Sequence, residues 1–208
     1  MDDETSRNAS YAANMADFFG IDRVVSGVLF VPMAYFPLLY RWRGEERLLL
    51  WQSGNIDSVT VSSEGYVQSF AGLADLNRFA HACALQIEQE EPKLHNLDSV
   101  LAWVRGKEPD VGCDETLNAW NLFRDIANSV ESSFKESFEK LDSDMSEVYN
   151  KIFWGNNLPS VTPPGKRFVP TWSAEEIDAL AALLSAGLSM FASCTQNHEL
   201  RTATEVKL

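Results

Sequence analysis

A series of short segments rich in β-forming residues follows residue 25 of the chain. These segments are 28–31, 36–42, 47–51, 59–61 and 66–70. Polar, glycine-containing stretches with turn composition lie between them, at Arg43–Glu46 and at Ser62–Gly65. Consecutive short strands joined by tight turns are typical of a meander, so we predict an antiparallel sheet over residues 26–70.

After Phe70 the spacing of the apolar positions changes from about two residues to about 3.6, which indicates helices. The first helix after Phe70 is predicted between residues 72 and 90. Its apolar face consists of Leu73, Leu76, Ala80, Cys83 and Ile87. A shorter helix is predicted to end near Gly106, and Asp114 has a side chain suited to capping the next one. Helical spacing then continues to about Phe153, as one long helix or as two consecutive ones.

The most specific local signal lies near the C-terminus. Ser173 and Glu176 form an S-x-x-E capping box, and Trp172 and Ile177 occupy the positions of a hydrophobic staple. They predict a helix whose apolar face is Ile177, Leu180, Leu184, Leu188 and Phe191. The preceding segment, 154–170, has four prolines and two glycines, which predicts a long loop.

These elements predict an α+β fold, with an N-terminal antiparallel β-meander packed against a C-terminal set of α-helices. A length of 208 residues suits a single domain of this kind. Its predicted parts are an N-terminal helix or arm at 1–25, the sheet at 26–70, a helical part at 71–194 and a frayed tail at 195–208.

The chain is strongly acidic, and its charge is unevenly distributed. Its formal net charge is −13, with 30 acidic and 17 basic residues. Residues 86–147 alone contain fifteen acidic and six basic residues, a net charge of −9. Binding to nucleic acid or to an anionic membrane requires an excess of Lys and Arg, so neither is predicted as a direct partner. A basic protein has the complementary charge.

Cysteine content and the N-terminal sequence predict a cytoplasmic protein. The three cysteines, Cys83, Cys113 and Cys194, are widely spaced and odd in number, which fits neither a disulfide framework nor a zinc site. We therefore expect three free thiols. The sequence begins Met1-Asp2-Asp3-Glu4, which is acidic where a secretory signal is basic.

Sequence motifs for catalysis are missing from the chain. It contains no G-x-S-x-G, G-x-G-x-x-G, P-loop or H-E-x-x-H sequence. The three histidines are His81, His95 and His198, and a lone histidine is more often structural or solvated than catalytic. His81 and Cys83 are two residues apart and point to different faces of the predicted helix, which is poor geometry for a shared metal ion. We predict a protein that is not an enzyme and needs no cofactor.

One basic cluster surrounds the first predicted hairpin. Its members are Arg41, Trp42, Arg43 and Arg47. An arginine stacked on Trp42 suits contact with a phosphate or a nucleic acid. The neighbouring Glu45 and Glu46 favour instead ion pairs across the hairpin.

The acidic segment 86–147 and the missing catalytic motifs give the chain a general character that resembles immunity proteins of bacterial toxin–immunity systems, including contact-dependent growth inhibition. The resemblance implies that the chain binds and neutralises a basic toxin domain, with a nuclease as the expected type, by steric and electrostatic blocking. Two alternatives remain open: an adaptor or chaperone-like binding protein, and a small enzyme with a carboxylate-based site.

Six residues are predicted to contact the basic partner. Carboxylates on and around one helix are expected to steer its approach, and aromatic residues of the long loop are expected to anchor it. The carboxylates are Asp110, Asp114, Glu115 and Glu131, and the aromatic residues are Trp154 and Phe168.

Overall fold

The computed structural model describes residues 33–106 and 110–195. The chain divides into two units, Met1–Met33 and Ala34–Leu208, and every described residue except Met33 belongs to the second. The predictions for residues 1–32, including the strand at 28–31, and for the tail after Thr195 therefore lie outside the described residues.

The described residues form one four-stranded sheet and six helices. The strands are β1 (Ala34–Trp42), β2 (Glu45–Ser53), β3 (Ser58–Val59) and β4 (Leu94–Asn96). The helices are α1 (Leu73–Ala82), α2 (Leu97–Gly106), α3 (Cys113–Ser129), α4 (Ser133–Asp142), α5 (Ser146–Gly155) and α6 (Ala174–Thr195). The predicted α+β class is confirmed, and the strands lie in the order β3-β2-β1-β4.

The β1–β2 hairpin forms where the alternating pattern predicted it. Trp42 pairs with Glu45, so the turn contains only Arg43 and Gly44. Both have positive φ angles, 54° and 80°, as a two-residue turn between twisted strands requires. The Asp98 carboxylate at the start of α2 accepts hydrogen bonds from the backbone N–H groups of Arg43 (2.7 Å) and Gly44 (2.8 Å). Asp98 therefore fastens the hairpin tip to α2.

The prediction of a helix from residue 72 to residue 90 is wrong in its second half. Helix α1 ends at Ala82, and Ala84 then adopts a positive φ of 54°. Ile87 forms a parallel bridge with Tyr35, and the backbone N–H of Glu88 donates to the carbonyl of Tyr35 at 2.8 Å. An apolar residue at position 87 is compatible both with the apolar face of a helix and with a β-strand. Pairing with the open edge of β1 determines the extended conformation of Ile87.

The sheet is mixed, which corrects the prediction of a purely antiparallel meander. Residues 94–96, predicted to lie in the helical part, form β4 and pair in parallel with β1, where Leu94 lies opposite Leu39. Pro37 has no N–H to donate, and it lies in the middle of β1. On this edge of β1, Tyr35 pairs with Ile87 and Leu39 pairs with Leu94 of β4. Pro37 falls between these two pairs, which explains how a central strand contains a proline.

Both faces of the sheet are covered. On one face, Leu48 and Leu50 pack with Phe70 and with Leu76 of α1. On the other, side chains of all the other helices join the larger core, which includes Leu49, Trp120 and Phe191. Helix α6 packs against α2, α3 and α4. Its length and composition would also suit a membrane span, but half of its most apolar window is buried within the protein.

The helices after Phe70 mostly follow the predicted pattern. The segment that was predicted as one long helix or two consecutive ones contains α4 and α5, separated by residues 143–145. The capping box is confirmed: the Ser173 N–H donates to Glu176 at 2.9 Å, and the Glu176 N–H donates to the Ser173 hydroxyl at 3.2 Å. Helix α3 begins one residue before Asp114, and Gly112 is its N-cap. The prediction that Asp114 is the cap is therefore wrong.

Candidate functional site

A cleft of about 400 Å³ lies between the N-terminus of α3 and the loop that joins α5 to α6. Three exposed carboxylates line it, on Asp110, Asp114 and Glu115. Asp114 forms an ion pair of 2.7 Å with Lys93. Asp110 and Glu115 form no ion pair with any of the described residues. One arginine, Arg167, also lines the cleft, so its lining is acidic but not uniformly so.

The N-terminus of α3 accommodates these carboxylates for a local reason. Asp114 and Glu115 lie in the first turn, where unpaired backbone N–H groups and the helix dipole stabilise negative charge. Gly112 precedes them, and a Cβ at that position would lie 2.8 Å from Oε2 of Glu115. Glycine at the N-cap thus leaves room for Glu115 to fold back over the end of the helix.

Asn157 positions the opposite wall of the cleft. Its side chain accepts a hydrogen bond from the Phe168 N–H (2.6 Å) and donates one to the Phe168 carbonyl (2.9 Å). The Asn157 amide thus makes the same pair of backbone hydrogen bonds that a neighbouring β-strand residue would make. Asn157 also has a positive φ of 51°, which asparagine tolerates better than most residues. This residue therefore turns the chain after α5 and fixes the backbone of Phe168, eleven residues further on.

Asn156 and Gly155 join the same loop to α3. The Asn156 amide donates to the Cys113 carbonyl at 3.1 Å and to the Ile152 carbonyl at 3.0 Å. A Cβ at position 155 would lie 2.5 Å from the Cys113 Sγ. The end of α5 and the start of α3 therefore approach so closely that glycine is the residue that fits at position 155. Burial, with a further contribution from the charge of Asp110, raises the pKa of the Cys113 thiol, which disfavours the reactive thiolate.

Large apolar side chains are exposed along this loop and at the end of α5. Phe168 is 43% exposed and Val169 is 71% exposed, and both line the cleft. The other members of the set are Trp154, Leu158 and Val161. Exposed apolar groups concentrated in one segment and next to charged groups are typical of a protein-binding surface.

The structure brings together four of the six predicted contact residues: Asp110, Asp114, Glu115 and Phe168. Trp154 is 45% exposed and packs against Phe153 at a ring distance of 5.4 Å, outside the cleft lining. Glu131 follows α3 at its other end, and a helix of 17 residues spans about 25 Å. Glu131 therefore belongs to a different part of the surface.

The sequence prediction missed Asn156 and Asn157, which build the cleft. The available signal was Gly155-Asn156-Asn157 directly after an apolar helical stripe, because glycine and asparagine are the residues that most often end helices. Of the histidines, His81 is exposed on α1, and His95 lies in β4, where burial lowers its pKa. Among residues 33–106 and 110–195, no three His, Cys, Asp or Glu side chains are grouped to hold a metal ion.

Comparison with protein-family models, with curated proteins and with solved structures gives no match. The geometry of the cleft and the distribution of charge are therefore the observations on which a functional proposal depends.

Proposed function

We propose that this protein is an immunity-type inhibitor that binds a basic toxin domain, with a nuclease as the expected type, at the cleft between α3 and the α5–α6 loop. One observation carries the proposal. Two carboxylates without an ion pair among the described residues, Asp110 and Glu115, share a cleft with the exposed Phe168 and Val169. Charged groups for steering and apolar groups for anchoring thus lie on one surface.

The charge supports fast association with a basic partner. Residues 86–147 have a net charge of −9, and the cleft carboxylates belong to this segment. At physiological ionic strength the field extends over about 8 Å, the Debye length. Complementary charge acts mainly on the association rate, and exposed ion pairs add little affinity.

Affinity must then come from apolar groups that are buried on binding. Phe168 is the main candidate, because its backbone is fixed by Asn157 while 43% of the residue remains exposed. A side chain on a fixed backbone loses less conformational entropy on binding than one on a mobile loop. Removing a well-buried aromatic anchor from an interface costs about 2 kcal/mol or more.

Inhibition follows from the chemistry of the expected target. A nuclease binds a polyanion and therefore has a cationic substrate site. An acidic surface that docks on or beside that site excludes the substrate by charge and by volume. In this proposal the chain needs no catalytic group of its own.

The test is affinity capture from cells of the natural host with three forms of the protein. The cleft variant is D110N/D114N/E115Q. The matched control is E136Q/E139Q/E147Q, which removes three exposed charges from α4 and α5 and reaches the same net charge. We expect the wild type and the control to capture the same basic protein, and the cleft variant to capture much less of it.

The captured protein is then purified and assayed for nuclease activity with and without the chain. The proposal predicts that the wild type and the control suppress this activity and that the cleft variant suppresses it less. Capture of unfolded segments of many proteins would support the adaptor alternative instead. Equal capture by the cleft variant and the control would contradict the proposed site.

A further inference from the structure

A second cleft, of about 570 Å³, lies between the tip of the β1–β2 hairpin, α2 and α6. It shares no lining residue with the acidic cleft. Leu101 of α2 and Leu188 of α6 contribute apolar surface, and Trp42 adds the half-buried ring at the hairpin tip. The basic cluster around Trp42 that is visible in the sequence therefore borders a cavity.

Two arginines line this cleft, Arg43 on the hairpin and Arg105 on α2. Both are exposed, and neither forms an ion pair with a described residue. The Arg43 guanidinium lies 5.6 Å from the centre of the Trp42 ring. By contrast, Arg41 outside the cleft is paired across the hairpin with Glu46, as the sequence indicated.

Among the described residues that line the cleft, Asp98 is the one carboxylate, and it is already engaged. Both oxygens of Asp98 accept hydrogen bonds from the backbone N–H groups of Arg43 and Gly44, at 2.7 and 2.8 Å. Asp98 therefore serves to hold the hairpin tip in place, and it forms no ion pair with either guanidinium. Two guanidinium groups without an ion pair to a described residue therefore lie in a cleft whose lining is partly apolar, in a chain whose net charge is −13.

We propose that this cleft binds a small organic oxyanion, a carboxylate or a phosphate monoester carried on an apolar body. The guanidinium groups of Arg43 and Arg105 would bind the oxygens, because their planar N–H pairs match the geometry of carboxylate and phosphate. The apolar body would lie against Leu101, Leu188 and Trp42. Ser185 also lines the cleft, and its hydroxyl would supply a further hydrogen-bond donor.

The site should bind the complete ligand more tightly than either of its two fragments. Inorganic phosphate can bind the arginines, but it leaves the apolar surface exposed to water. Phenol can cover the apolar surface, but it leaves the arginines solvated. Phenyl phosphate does both, so the site predicts that it binds more tightly than either fragment.

Titration of the full-length ¹⁵N-labelled protein with these three probes tests the proposal. The indole N–H signal of Trp42, assigned with the W42F variant, reports on the cleft. We expect saturable shifts with phenyl phosphate and much weaker binding of inorganic phosphate and phenol. The R105Q and R43N variants should each lower the affinity for phenyl phosphate about tenfold, the size of one lost charged hydrogen bond. Asparagine is chosen at position 43 because it tolerates the positive φ found there.

The R167Q variant is the matched control. Arg167 is also exposed and forms no ion pair within the described part of the chain, but it lines the acidic cleft. Its affinity for phenyl phosphate should equal that of the wild type. Unchanged amide spectra away from the cleft show that the variants are folded. Binding of phenyl phosphate no tighter than that of inorganic phosphate or phenol, or wild-type affinity in R105Q, would overturn the proposal.

Discussion

The indole N–H of Trp51 donates a hydrogen bond of 3.0 Å to the carboxylate of Asp125, and this bond joins β2 to α3. Burial and the nearby charge of Asp57 raise the pKa of Asp125 to about 7, while the hydrogen bond and Arg124 act in the opposite direction. A second bond, from the Val59 N–H to the Ser129 hydroxyl at 2.8 Å, joins β3 to the same helix. The contact between sheet and helix thus includes a carboxyl group that titrates near neutral pH.

This titration predicts a pH-dependent stability. The folded state holds a proton on Asp125 more tightly than the unfolded state, whose pKa is 3.8. The stabilising contribution is therefore complete below pH 3.8 and is lost as the pH rises through about 7. In D125N the amide oxygen still accepts from Trp51 but does not titrate. We expect D125N to gain about 2–4 kcal/mol relative to wild type between pH 4 and pH 8.

Urea unfolding of both proteins across this pH range provides the measurement. D57N is the control, because it removes the neighbouring charge that helps to raise the pKa of Asp125. The range of pH over which stability changes should therefore be narrower in D57N than in wild type, but it should still be present. A difference between wild type and D125N that does not vary with pH would show that Asp125 titrates normally.

Gly187 lies where α6 packs against Phe123, and a side chain at this position would clash with the Phe123 ring. A Cβ at this position would overlap the ring of Phe123, so α3 and α6 are close only because residue 187 has no side chain. G187A should lower the free energy of unfolding by about 1–3 kcal/mol, despite the better helix propensity of alanine. In an F123L background, where the ring is removed, the same substitution should cost less. Equal costs in both backgrounds would exclude the steric explanation.

The capping box predicts a measurable contribution to the stability of α6. S173A removes the hydroxyl that accepts from the Glu176 N–H, and should cost about 1 kcal/mol. S160A, in the exposed part of the loop, is the matched control and should leave the denaturant midpoint unchanged. Equal midpoints for S173A and S160A would mean that the cap adds nothing to stability.

The two hydrogen bonds from the Asn157 side chain should hold the backbone of Phe168 in place within the loop. N157G keeps the freedom to adopt a positive φ but removes both hydrogen bonds to Phe168. Hydrogen exchange of the Phe168 amide should then be faster. The Lys166 amide, which bonds to the Pro163 carbonyl within the loop, is an internal control and should change less. Unchanged exchange at Phe168 would mean that Asn157 does not hold this segment.

Local signals in the sequence predicted local structure well. The capping box at Ser173, the turn at Gly44 and the apolar stripe of α6 are each determined by residues within a few positions of one another. Long-range pairing was not predictable in this way. Leu94 joins the sheet because β1 has an open edge. Phe168 lines the same cleft as Asp110 because Asn156 and Asn157 fold the loop back onto α3. The cleft therefore depends on contacts that no periodic pattern encodes.

The association rate between the chain and its captured basic partner, measured at several salt concentrations, tests the proposed function most directly. The wild type is compared with D110K/D114K/E115K and with the matched reversal E136K/E139K/E147K. The proposal predicts that the cleft reversal slows association by about tenfold or more at low salt and flattens its salt dependence, with a smaller change in dissociation. The matched reversal should retain most of the salt dependence. An association rate that is insensitive to salt and to the cleft reversal would contradict the proposed acidic binding site.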